Sequence, residues 1–84
     1  MSDFEVESGA TMCLRDVVAR AVAQYLDDMG STPPTDLHQR IITEVEGPLI
    51  RTVLAHTGGN QSRAAAILGM TRSTLRNRIR RYRL

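Results

Sequence analysis

Residues 60–84 read NQSRAAAILGMTRSTLRNRIRRYRL and hold seven arginines without a single acidic residue. A guanidinium is a planar fork. It can bind guanine O6 and N7 together, or two phosphate oxygens, by paired hydrogen bonds. At helical spacing Arg72, Arg76, Arg80 and Arg83 fall on one row, flanked by Arg78 and Arg81, with Ser73 and Asn77 on the same outward face. An ordinary solvated face mixes Glu with Lys or Arg to gain pairs one turn apart. This row has no such partner nearby in sequence, so it repels itself unless an anion is present. Arg72, Ser73, Arg76 and Asn77, at the front of their helix, are placed to reach base edges in a major groove. Asn60 and Ser62 open the preceding helix, where free amides bind phosphate and fix register without reading sequence.

Two short helices must position these groups. Asn60 is an N-cap for a helix over 61–68, and Gly69 tolerates the positive φ at which that helix stops. Thr71 caps the next helix, Arg72 to about Tyr82, whose inward residues are Leu75, Ile79 and Tyr82. Ala65, four residues before the glycine, provides the small side chain that two crossing helices require. Short helix, glycine turn and second helix make a helix-turn-helix.

Upstream, Leu14, Val17, Val18, Ala21, Val22, Tyr25, Leu26 and Met29 form an apolar stripe of one helix, closed by Gly30 and the Pro33-Pro34 pair. Thr35 is the expected N-cap of a second helix, with Asp36 in its first turn and an end near His56. Its stripe is Leu37, Ile41, Val45, Leu49 and Val53, joined by Ile42 and Ile50. Pro48 is expected to kink this helix rather than end it, because the apolar phase continues beyond it. Gly58-Gly59 closes it. The fold class is therefore all-α, four helices per chain. The expected division is a mobile acidic tail over 1–12, dimerisation helices over 13–57 and a DNA-binding helix-turn-helix over 58–84, in one compact domain.

The 84 residues include eleven arginines, no lysine, nine acids, two histidines and one cysteine. Residues 1–50 carry three arginines and all nine acids, 3 − 9 = −6, whereas residues 51–84 carry eight arginines and no acid, +8. Such asymmetry points one end at a polyanion and the other away from it. A core this small rarely suffices without a disulfide, a metal or a partner chain. Cys13 has no intrachain partner and zinc ligands are lacking, so an intertwined homodimer built from the first two helices is the expected remedy. No cofactor or metal is expected. No apolar run reaches the roughly 20 residues of a membrane span, and no leader is visible, so the cytoplasm is the expected compartment.

Other classes fit less well. His38, His56 and Cys13 form no nucleophile, base and orienter set, and Glu44 and Glu46, two apart on a helix, diverge, so the chain is not read as an enzyme. An anionic membrane would want a wider apolar face than Leu75, Ile79 and Tyr82 provide. RNA binding suits an arginine-rich helix, but one Phe and two Tyr are few for base stacking. A pure interaction module leaves the charge asymmetry unexplained.

Asn60-Gln61-Ser62-Arg63-Ala64-Ala65, Leu68-Gly69-Met70, Arg72 and Thr74-Leu75-Arg76 resemble the helix-turn-helix of the Fis family, a module that NtrC-type activators share. Leu14-Arg15-Asp16, Tyr25, Asp36-Leu37 and Glu44-Val45-Glu46 followed by Pro48-Leu49 are also similar to Fis, so the resemblance runs over about residues 14–84. An NtrC-type protein would need an ATPase domain, and this chain has no phosphate-binding glycine loop. The resemblance implies a nucleoid-associated homodimer in the cytoplasm that bends double-stranded DNA, regulates transcription, and meets recombinase or RNA polymerase. It implies phosphate contacts from Asn60, Ser62, Thr74 and Arg78, and base approach by Arg72 and Arg76. Thr71 stands where the family commonly carries Asn, and Asn77 where a basic residue is usual, so base preference and affinity are open to change there. The N-terminal arm is shorter than in members whose β-hairpin activates a DNA invertase. Two recognition helices on one small dimer must also meet grooves ~34 Å apart. If they lie closer than that, the DNA bends to meet them and is read partly by shape.

Overall fold

The computed structural model of the chain describes residues 5–6 and 12–84. Four helices follow one another: α1 (Leu14–Met29), α2 (Leu37–His56), α3 (Gln61–Leu68) and α4 (Arg72–Tyr82). Ahead of them, strands β1 (Glu5–Val6) and β2 (Met12–Cys13) pair antiparallel, Glu5 opposite Cys13 and Val6 opposite Met12. Glu5, Val6 and Met12, in the segment expected to be a mobile tail, thus belong to paired strands; the rest of residues 1–12 lies outside the described residues.

The chain divides into two compact units, Met1–Leu37 and His38–Leu84. In the first, α1 has the expected bounds, and Gly30 stops it at φ 60° with its N–H on the Asp27 carbonyl, 3.1 Å away. None of the residues of α1 is buried, and Leu14 and Leu26 are exposed.

In the second unit α2 starts one residue later than expected. Asp36 sits at φ 53°, outside the helix, so no acid lies in the first turn. Aspartate tolerates this left-handed conformation better than most residues, and the chain uses it as a corner instead of a dipole partner. The helix continues through Pro48 to His56. Its packing departs from the expected stripe: Ile50 is wholly buried, with Val53 and Leu54 packed beside it, whereas Ile42, Val45 and Leu49 are exposed. Exposed Leu49 next to wholly buried Ile50 shows that the core covers one face of α2 and leaves the neighbouring face open.

Ile50, Ala64, Ala65 and Leu75 form the buried centre, and Leu68, Met70, Ile79, Tyr82 and Leu84 close around it. The inward face expected for α4 and the small residue expected at Ala65 are both found. Buried Thr57 pins the turn between α2 and α3, its hydroxyl lying 3.1 Å from both the Leu54 and Asn60 carbonyls.

Three helices of this unit end alike. In each, a residue of positive φ follows the helix, and the N–H after it reaches back five residues: Gly59 to Leu54 at 2.8 Å, Met70 to Ala65 at 2.9 Å and Leu84 to Ile79 at 3.0 Å. This is the Schellman stop, with its apolar contact supplied by Met70 and Leu84. The positive-φ residue is Gly58 or Gly69 in the first two cases and Arg83 (φ 54°) in the third.

Candidate nucleic-acid interface

Helix α3 starts where Asn60 Oδ1 accepts the Arg63 N–H at 3.0 Å. The cap uses the carbonyl oxygen of that side chain and leaves its amide N–H₂ as a donor in solvent. Ser62, one residue into the helix, is exposed. Gly69, in the left-handed conformation, turns the chain to Thr71. Thr71 Oγ1 accepts the Thr74 N–H at 3.1 Å and donates to Thr74 Oγ1 at 2.9 Å. Its proton is thereby spent, and the Thr74 hydroxyl proton is left free to donate. Neither α3 nor α4 has an acidic residue in its first turn, so the positive end of each helix is open to an external anion.

With Leu75 sealed in the core, the opposite face of α4 is fixed in solvent. Arg72, Ser73, Arg76, Asn77 and Arg80 line one open concavity of about 440 Å³ on it. Arg80 Nη2 donates to Asn77 Oδ1, one turn back. Asn77 therefore shows its amide N–H₂ outward, and Arg80 is oriented along the helix. Arg83 is not part of the row. The helix ends at Tyr82, and the positive φ of Arg83 takes its side chain out of helical phase.

Arg78 departs most from the expected arrangement. It was expected beside the row as a phosphate ligand, and the structure draws it toward α2. Its Nε lies 3.1 Å from Glu46 Oε1, and the two side chains are 28% and 19% exposed. The Tyr82 hydroxyl donates to the same Glu46 oxygen. The tyrosine ring lies over buried Gly47, where a Cβ would stand 3.8 Å from Tyr82 Cγ. Sequence reasoning missed Glu46 as part of this arrangement. The available signal was a carboxylate beside a glycine, on the helix that α4 must pack against.

The Tyr82 hydrogen bond, above all, lowers the Glu46 pKa below its ordinary 4.5, against partial burial that pushes it up; Arg78 and the charge of Arg81 also lower it. The same hydrogen bond raises the Tyr82 phenol above 10.0, with burial adding to it. A carboxylate whose folded pKa is depressed contributes stability above its unfolded value and loses it as pH falls through the folded value. Stability should therefore decline as pH drops below about 4.5, and Glu46→Gln should flatten that decline. Urea melts of both chains across this acid range test it, and parallel profiles would contradict the assignment. At the alkaline end the raised phenol acts oppositely, and its contribution fades as pH rises through its folded value.

The description of a bacterial regulatory protein family, the Fis family, matches residues 41–82. The chain is 42% identical over 69 residues to the DNA-binding protein Fis of Glaesserella parasuis, an alignment spanning 82% of this chain and 70% of that protein. The DNA-binding protein Fis of Psychromonas ingrahamii matches with the same identity and coverage. That of Mannheimia haemolytica is 41% identical over 69 residues, again 82% of this chain and 70% of that protein.

Proposed function

Since the chain belongs to the Fis family of bacterial regulatory proteins, we propose that it acts as a homodimer that grips and bends double-stranded DNA. It is a DNA-binding regulator of the Fis type. The observation that carries the reading is the acid-free concavity on α4, where Arg72, Arg76 and Arg80 stand exposed with Ser73 and Asn77 between them. Arg72 and Arg76 approach base edges, while Asn60, Ser62, Thr74 and Arg78 hold phosphates. The upstream match favours this over an isolated NtrC-type module, because the alignment with the relatives extends well before the helix-turn-helix.

The homodimer is supported by apolar surface that one chain leaves uncovered. Ile42, Val45 and Leu49, at i, i+3 and i+7, form an exposed strip on α2, and nothing on α1 is buried. A strip of this kind calls for a partner helix, and we assign a second copy of the chain to it, making 13–57 the dimerisation segment and 58–84 the DNA-binding one. Two α4 helices in successive major grooves would bend the duplex wherever their spacing falls short of the ~34 Å groove repeat. Readout is then largely by groove shape, with Thr71 and Asn77 modulating base preference. We place the protein on the bacterial nucleoid in the cytoplasm; no described helix is long and apolar enough to cross a membrane. The β1–β2 ladder is the element we assign to a DNA recombinase partner, and transcription regulation implies meeting RNA polymerase. We assign it no catalytic reaction.

Binding isotherms on an A/T-centred duplex at several salt concentrations test the central claim. Log K should fall against log salt with a slope on the order of −0.9 for each phosphate neutralised. Circularly permuted probes should show position-dependent mobility. A slope near zero would remove the groove-binding reading.

A further inference from the structure

We infer that Glu46 is a positioning residue for DNA binding: it holds Arg78 by the inner nitrogen of its guanidinium and so aims the outer end at a phosphate. The inference rests on the DNA-binding reading above and goes beyond it by giving α2 a direct part in the grip.

The geometry supports this step by step. Arg78 Nε is out of contact with water and lies 3.1 Å from Glu46 Oε1 as an ion pair, without the alignment of a hydrogen bond, so what holds it there is charge and enclosure, yet the side chain as a whole is 28% exposed. With Nε enclosed, the two Nη groups are the hydrogen-bonding remainder. A guanidinium is planar, so fixing Nε fixes the direction in which the Nη pair points. The carboxylate is itself fixed, because the Tyr82 hydroxyl donates to the same oxygen and the Tyr82 ring is packed over Gly47 and the core. Arg72 and Arg76, by contrast, are exposed on the open concavity. They must be ordered by the ligand, whereas Arg78 meets it already set. Glu46 thus costs the site one unit of net positive charge and returns one pre-set donor pair on the flank of α4.

A double-mutant cycle in the full chain separates this from a general effect of charge or folding. Glu46→Asp keeps the charge and withdraws the carboxylate by one methylene. It should weaken binding to a fluorescent A/T-centred duplex about fivefold when Arg78 is present and leave it unchanged in an Arg78→Ala background. Equal losses in both backgrounds, or no loss in either, would overturn the inference. Should Glu46→Asp fail to fold, Glu46→Gln is compared with the wild-type chain by exchange of the Arg78 Nε proton without DNA. Exchange should be slow in the wild type and fast in the variant, and equal rates would overturn the inference. A wild-type chain that does not bind the duplex at low salt would defeat the DNA-binding reading instead, while the exchange measurement would still report the Glu46–Arg78 contact.

Discussion

Arg76→Ala should lower duplex affinity by about 1–3 kcal/mol at each half-site, a loss of roughly tenfold to hundredfold for each protomer engaged. Arg76 stands in the middle of the concavity, with Arg72 and Ser73 before it and Asn77 and Arg80 after it. It lies one residue past Leu75, which is wholly buried, so its outward direction is fixed by the core rather than by its own flexible stem. Removing the guanidinium deletes the contact without touching packing. Thermal unfolding and sedimentation should stay as in the wild type while retention on the duplex is lost. Because the residue is assigned to a base edge, the salt slope should change little and the ranking of DNA sequences should flatten. Unchanged affinity and ranking would take base reading away from this face of α4.

The second large effect is on stability. Leu75→Ala should cost about 2–5 kcal/mol, the range for truncating a large aliphatic side chain in a close-packed core. That is a large fraction of the 5–15 kcal/mol that holds a small domain together. Leu75 and Ile50 are the largest side chains fully withdrawn from solvent, and they belong to α4 and α2. Alanine at 75 would leave a cavity lined by Ile50, Ala64 and Ala65, residues too short to close it. Chemical denaturation should show an earlier midpoint, and DNA binding should weaken only through loss of folded protein. A midpoint within a few tenths of the wild-type value would show that α4 is not held by this contact.

What was legible in the sequence was whatever local spacing decides. The bounds of α1, the end of α2, both helices of the helix-turn-helix and their caps at Asn60 and Thr71 are set by residues within one or two turns of each other. So are the inward set Leu75, Ile79 and Tyr82 and the stop at Gly69. Contacts that cross the chain were not legible. Glu46 lies 36 residues from Tyr82, and no local pattern marks a carboxylate on α2 as the partner of groups on α4. Arg78 therefore read as one more free cation. Which of the apolar rows of α2 faces inward was hidden for the same reason, since Ile50 is chosen by α3 and α4 and not by the helix's own periodicity. At Asp36 and Arg83 the chain adopts positive φ without glycine, so the usual signal for a corner is missing. The helix start at 37 and the departure of Arg83 from the arginine row both follow from that.

One unbroken helix carries both the uncovered strip of Ile42, Val45 and Leu49 and the anchor formed by Ile50, Val53 and Leu54. Each residue along it adds about 100° of rotation and 1.5 Å of rise, so the angular phase between strip and anchor is locked into its length. A single insertion or deletion between them would swing one relative to the other by more than a quarter turn, even with every side chain retained. Side-chain identity can drift along this rod; its residue count is the gauge that keeps strip and anchor in phase.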